Sequence, residues 1–364
     1  MDYTIHIEGL QTQNATYTIM NTIFGLIIIA IGSMGQSSSY VPINKVKNWS
    51  WESFWLVQGI FAWLLFPYLG ALLAVPDGSS LGIILSSGHG AAMKAMLFGV
   101  LWGVGGLTFG LSMRYLGVAL GQSIALGTCS AFGTLIPAIM VGTNLFSGTG
   151  LVLLLGVSIA IAGIAIIGFA GSLRAKNMTE EQKKAAIKDF ALGKGLLVAL
   201  LAGVMSACFS LGLQAAEPIK TAALAAGTKA LYAGLPAVLM VTIGGFLTNA
   251  AYCLFQNVKH KTLKEYISIP RSILVNNLLF CALAGILWYS QFFGLALGKS
   301  FFQEGSIMMA FSWSILMSLN ILFSNFWGIM LKEWVGSKRT TLILLVVGLV
   351  ILIFSCVFPS LMNK

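Results

Sequence analysis

What most constrains this chain is a tenfold recurrence of apolar windows about 20 residues long, the length a helix needs to cross the hydrocarbon of a bilayer. They fall at roughly 19–41, 53–74, 95–114, 117–141, 150–172, 194–216, 231–256, 272–297, 305–331 and 341–360. Each is continuously apolar, whereas strands of a membrane barrel alternate in segments of about 10 residues. The predicted fold class is therefore an all-α integral membrane protein with ten transmembrane helices. Composition agrees, since 57% of the 364 residues are hydrophobic and 9% charged, unlike any water-soluble domain.

Sixteen of the 21 Lys and Arg residues lie in one alternate set of connections. Positive loops stay cytoplasmic, so both termini are expected on the outer side, with residues 1–18 an outward-facing segment. The net charge of +10 is then a topology signal, and no nucleic-acid partner is needed to explain it. Asp2 and Glu8 precede the first apolar run without any Lys or Arg, which reads as a retained helix rather than a cleaved signal peptide. Cys129, Cys208, Cys253, Cys281 and Cys356 lie inside spans with no C-x-x-C pair and read as small packing residues.

One long polar connection, SLRAKNMTEEQKKAAIKDF from Ser172 to Phe190, carries a T-x-x-Q pattern at Thr179 and Gln182 and reads as a short interfacial helix. It separates a first five-helix repeat, 19–172, from a second, 194–364, across a cytoplasmic linker at 173–193. Five is odd, so the second half enters the membrane upside down and the two halves are expected to form an inverted repeat. LFGVLW (Leu97 to Trp102) and LAGILW (Leu283 to Trp288) occupy equivalent places in the two halves. Gly99, Gly103, Gly106, Gly110, Gly117 and Gly121 predict close packing of helices 3 and 4. Pro67, Pro137 and Pro236 fall within windows 2, 4 and 7 and predict kinks.

Inverted-repeat carriers place substrate between the halves, which makes Trp102 and Trp288 candidate cavity walls. Helical spacing sets Gly285, Trp288, Gln291 and Phe292 along one stripe. The Gln291 amide is costly in hydrocarbon unless hydrogen-bonded, and either a ligand or an interhelical contact could fill it. Tyr40, Gln122, Gln214 and Asn276 are further candidates for substrate binding. Gln36, the Ser37–Ser39 run, Asn249, Asn277, Asn320 and Asn325 are polar positions of the same kind. No span has an Asp, Glu, Lys, Arg or His near its centre, and there is no phosphate loop and no H-E-x-x-H, so an enzyme, a cofactor and a metal site have no candidate residues. A neutral cavity walled by Trp suits an uncharged sugar or polyol, because an amine or anion would want a countercharge. A coupling proton would need a titratable group, and Glu217 and Glu304 near the outer mouth are the candidates, although each also reads as a solvated loop carboxylate.

Four blocks, SSSYVPINKVKNWSWESFW (Ser37 to Trp55), LFGVLWGVGGLTFGLSMRYLGVALG (Leu97 to Gly121), WYSQFF (Trp288 to Phe293) and SNFWGIMLKEW (Ser324 to Trp334), resemble the L-rhamnose/proton symporters of the drug/metabolite transporter superfamily. The resemblance covers essentially the whole chain. It implies ten helices in two inverted halves, a bacterial inner-membrane location and import of L-rhamnose with a proton; a monomer without cofactor is the expected form of the chain. It would set the Trp face against the ring face or methyl of a 6-deoxy sugar, with Gln291 on a hydroxyl. The chain departs from that family's pattern at WSILM (Trp313 to Met317), which lacks a His, at Glu217 before Pro218, and at SSSY (Ser37 to Tyr40). These departures leave open a shifted sugar, sodium coupling, or export or exchange of another metabolite.

Overall fold

The computed structural model describes residues 2–43, 45–87, 90–116, 118–177, 192–330 and 334–362, with backbone alone at 2–18 and a few other positions. Among the described residues, ten helices are long and apolar enough to cross a membrane: α1 Asp2–Ser38, α2 Trp51–Ala74, α3 Ala91–Leu116, α4 Val118–Met140, α5 Gly148–Lys176, α6 Leu192–Ala215, α7 Leu235–His260, α8 Arg271–Lys299, α9 Ile307–Met330 and α10 Arg339–Leu361. The remaining described helices are short segments in connections, and there is no strand among the described residues. At 1.5 Å per residue α1 runs about 55 Å, so its helical path extends well before the apolar window that begins at residue 19. The linker with Thr179 and Gln182 lies outside the described residues.

Two faces of the bundle can be told apart by their connections. One, the linker face, holds the end of α5 and the start of α6. The other, the C-terminal face, holds the end of α10 beside the starts of α5 and α9, where Phe358 and Phe311 both meet Gly156.

Helix pairing follows a pattern. The α3 helix packs along α6 as α1 packs along α8, α7 lies on α3 as α2 lies on α8, and α4 meets α6 as α9 meets α1. Adding or subtracting five from each helix number exchanges the members of these pairs. The α5–α10, α2–α7 and α4–α9 contacts map onto themselves under the same operation.

Glycine sets the closest approaches, since a helix without side chains on one stripe lets backbones meet. A Cβ on Gly99 of α3 would lie 2.1 Å from the Val241 carbonyl of α7, and one on Gly32 of α1 would lie 2.4 Å from the Ser290 carbonyl of α8. The glycine stripe of α3 therefore serves α7, through Gly99 and Gly103, more than α4. Gly106 and Gly110 have open space where a Cβ would stand.

The prolines act in two ways. Pro236 does not kink α7, because it occupies the first turn of the helix, where the missing N–H has no partner to lose. Pro67 lies inside α2 and cannot donate to the Trp63 carbonyl. The ladder just before it widens into a π-helical turn, Ile60–Leu65, a local re-registering of a kind often found at functional sites. Pro137 stays within α4 near its end.

The block KVKNWSWE clasps the linker face. Trp49 Nε1 donates to the Glu265 carbonyl at 2.9 Å, and the Ser50 N–H donates to the Glu265 carboxylate at 2.7 Å. Glu52, buried at the start of α2, lies 2.9 Å from His260 Nδ1 and accepts from Thr262 Oγ1 at 3.2 Å.

Candidate functional site

A cavity of about 200 Å3 opens near the middle of the bundle among α1, α2, α3, α4, α6, α7, α8 and α9. Its walls are aromatic. Trp63, carried inward on the π turn, meets Trp288 of α8 at 5.5 Å between ring centroids and Trp102 of α3 at 6.0 Å, both edge to face. Trp102 and Trp288, the two rings at equivalent places in the halves, are 5.7 Å apart. Trp55 of α2 adds an edge contact to Trp63 at 5.7 Å. Edge-to-face pairs of this kind are favourable beyond their buried area and hold the rings in one arrangement.

Each of three rings is seated over a glycine. A Cβ on Gly59 would lie 2.8 Å from the Trp63 ring, one on Gly245 2.1 Å from Trp102, and one on Gly133 2.2 Å from Trp313. Trp313 of α9 is further fixed by its Nε1 donating to the Cys129 carbonyl of α4 at 3.2 Å. Gly245 and Gly133 let the Trp102 and Trp313 rings approach α7 and α4 closely, and Gly59 lets the Trp63 ring lie close to its own helix α2.

Amides complete the lining. Asn320 of α9 donates from Nδ2 to Gln291 Oε1 at 2.9 Å, and Gln291 Nε2 reaches its own helix at the Trp288 carbonyl, 3.2 Å away. Trp55 Nε1 donates to Asn249 Oδ1 at 3.1 Å. Among the described residues, two buried polar atoms on the lining have no protein partner: Trp63 Nε1, a donor, and Asn320 Oδ1, an acceptor. Buried polar groups are nearly always paired, so an unmatched donor and acceptor beside one cavity mark where a hydroxyl-bearing ligand would complete the bonding. No Asp, Glu, Lys, Arg or His belongs to the described lining of this cavity.

Of the residues singled out from sequence, Trp102, Trp288 and Gln291 come together here. Gln36, Asn249 and Asn320 join them, as do Trp55, two residues after Ser53, Trp313, flanked by Ser312 and Ser314, and Trp63, which has no polar neighbour in sequence to mark it. Gln214 instead lines a second cavity toward the C-terminal face, with Glu217 and Glu304. Glu217 is paired there with Lys220 at 2.6 Å, and both carboxylates are exposed. Asn276 sits in the first turns of α8 at the linker face, donating to the Lys45 carbonyl at 3.0 Å. The side chains of Tyr40 and Gln122 lie outside the described residues. Ser37 and Ser38 bridge helices: Ser37 Oγ donates to the Asn320 carbonyl at 3.2 Å and Ser38 Oγ accepts from Trp327 Nε1 at 2.9 Å.

Ten spans around a mid-bundle cavity with neutral polar and aromatic walls define a multi-pass membrane protein of the secondary-transporter class. The chain belongs to the L-rhamnose-proton symport protein family (RhaT), whose sequence profile matches residues 19–362. It is 35% identical over 338 residues to the L-rhamnose-proton symporter of Yersinia pestis (strain Pestoides F), covering 92% of this chain and 96% of that protein. The L-rhamnose-proton symporter of Yersinia pseudotuberculosis serotype O:1b (strain IP 31758) is similar to the same extent. The family is one of transporters rather than enzymes.

Proposed function

We propose that this protein imports L-rhamnose, or a closely related sugar, together with a proton by alternating access, and that the sugar binds in the central cavity. The observation that carries the site is the unmatched pair at the cavity wall, Trp63 Nε1 and Asn320 Oδ1. A sugar oxygen accepts from the first and a sugar hydroxyl donates to the second. Trp102 and Trp288 offer apolar faces to the ring face and methyl of a 6-deoxy sugar. Gln291 holds the Asn320 amide in place, so that the free oxygen of Asn320 is presented in a fixed direction. The names of the relatives support the substrate and its coupling ion.

The membrane is a bacterial inner membrane in this reading, and both termini are periplasmic. The support is the concentration of Lys and Arg in the connections of the linker face. The two halves, 19–172 and 194–364, are inverted repeats, as in the drug/metabolite transporter superfamily. The support is the pairing of helices that survives exchange of each helix for the one five places away. Such a bundle works by rocking one set of helices against the other around a fixed site.

Coupling is assigned to the carboxylates at the C-terminal face, Glu217 and Glu304. They line the second cavity with Lys220 and Lys299, where protons would arrive from the periplasm. Purified protein in vesicles, loaded with unlabelled L-rhamnose, should take up labelled L-rhamnose by counterflow and accumulate it when an inward proton gradient is imposed. Counterflow without any response to the proton gradient, or accumulation driven by a sodium gradient, would overturn proton coupling. No counterflow of L-rhamnose, with a different metabolite exchanged instead, would overturn the substrate.

A further inference from the structure

The second cavity, about 360 Å3, lies between the end of α4, the end of α6 and the α8–α9 connection. A wall of aromatic rings separates it from the central one. Phe209 of α6 is stacked on Phe292 of α8 with centroids 3.8 Å apart and planes at 11°. It is also stacked on Trp313 at 5.7 Å and 17°. Trp313 lines both the central cavity and the second one, and Phe209 is fully buried between its neighbours.

The chemistry of the second cavity repeats that of the first. It has a Trp wall, Trp313, and a fixed amide: Gln214 Nε2 donates to the Pro137 carbonyl at 3.3 Å, which holds the side chain on α4. It also has buried oxygens without a protein partner, Gln214 Oε1 and Thr134 Oγ1, and Thr134 is only 2% exposed. Unpaired buried oxygens beside open space call for a ligand that brings its own donors. The charged residues at the rim are two acids, Glu217 and Glu304, and two bases, Lys220 and Lys299. Their charges balance, so neither an anion nor a cation is selected, and a neutral hydroxyl-rich molecule fits best.

We propose that this cavity is a second sugar-binding site, on the entry side of the aromatic wall, that holds one sugar while the central cavity holds another. The proposal rests on the sugar-transport reading above. Trp313 presents an apolar ring edge to both sites, and a shift of the Phe292–Phe209–Trp313 stack would join them. The weaker affinity belongs to this outer site, because the exposed Glu217 and Glu304 at its mouth leave it more open to solvent than the central cavity.

Equilibrium dialysis of the purified full-length protein against labelled L-rhamnose tests it. The expected result is two sugars bound per chain in two affinity phases. The double substitution Thr134→Val and Gln214→Leu should weaken the lower-affinity phase more than tenfold and leave the other. Ala310→Phe fills the same cavity from an exposed lining position and should remove that phase without disturbing a buried contact. Trp288→Ala should remove the tighter phase and spare the weaker. One sugar per chain in the wild type, or a second phase that survives both Ala310→Phe and the double substitution, would overturn the second site while the transport reading stands. No binding of L-rhamnose at all would overturn the transport reading, and the second sugar site with it.

Discussion

Replacing Gly245 with Ala should cripple sugar binding without adding a single polar atom. The new Cβ would stand 2.1 Å from Cζ3 and 2.2 Å from Cε3 of Trp102, whereas ordinary contact begins near 3.4 Å. Either the ring or helix α7 must therefore move by about 1.3 Å, since close-packed interiors have no slack of that size. The helix is the harder to move. Its neighbouring Gly244 is already in backbone contact with α3, where a Cβ would lie 2.1 Å from the Met96 carbonyl, and Thr248 Oγ1 donates across the same seam to the Val100 carbonyl at 2.9 Å. The ring is the part that yields, into the space bounded by Trp63 and Trp288. Misplacing a positioned group by about 1 Å costs up to 100-fold in a well-ordered site, so affinity should fall by about 10- to 100-fold, or about 1.4–2.8 kcal/mol. The assay is the half-saturation concentration for uptake of labelled L-rhamnose at matched amounts of protein in the membrane. Gly82→Ala, at a position with nothing within 4 Å of the added carbon, is the control and should be silent. An unchanged half-saturation in Gly245→Ala would refute the placement of Trp102 as a wall of the binding site.

Trp288→Ala should weaken sugar binding by more than the loss of a lipid-facing ring would, and unchanged affinity in a well-expressed variant would return Trp288 to packing alone. Gln291→Leu should cost about 1–3 kcal/mol in affinity. Combined with Asn320→Ala in a double-mutant cycle, it should show a coupling above about 0.5 kcal/mol, and strictly additive losses would break the proposed relay between the two amides. Glu52→Ala should lower the melting temperature, because it strips the clasp from His260 and Thr262, while the half-saturation for sugar stays within about twofold; a large change in affinity with normal stability would contradict a purely structural clasp. In a background without the native cysteines, a cysteine within 179–188 should be shielded from an impermeant thiol reagent in intact cells and one at residue 10 should be labelled. The reverse pattern would invert the topology.

Much of the architecture was legible because its causes are local. Ten apolar windows become ten spans because hydrocarbon leaves the backbone no partner other than itself. The ends were read less well where a local rule has two outcomes. A proline at the first turn, as Pro236 is, looks the same in a hydropathy profile as one that re-registers a helix, as Pro67 does. The glycines of α3 announced close packing, yet nothing in their spacing named α7 as the partner.

The site divides in the same way. Trp102, Trp288 and Gln291 could be found because a polar group beside a Trp in hydrocarbon is conspicuous and because two short segments match between the halves. Trp63 could not, since it looks like one more apolar residue in an apolar run, whereas Trp313, between Ser312 and Ser314, carried the same signal of a Trp beside polar groups. What makes them walls of a cavity is, for Trp313, Gly133 across from it on α4 and, for Trp63, Gly59 one turn earlier on its own helix together with the π turn that precedes Pro67. The Gly133 contact is a tertiary fact, whereas Gly59 and Pro67 stand within four residues of Trp63 in the sequence.

The central claim is that sugar occupies the cavity walled by Trp63, Trp102 and Trp288, and one residue gives direct access to it. Gly106 lines that cavity and has nothing within 4 Å of the position a Cβ would take, so Gly106→Cys places a thiol in the cavity without a clash. In a background lacking the five native cysteines, the rate of alkylation of Gly106→Cys by a membrane-permeant maleimide should fall at least fivefold in saturating L-rhamnose, with half-protection at the concentration that half-saturates transport. A cysteine at Ile31, on the exposed side of α1, should show no protection. Transport-competent Gly106→Cys protein whose alkylation is indifferent to L-rhamnose would contradict the account.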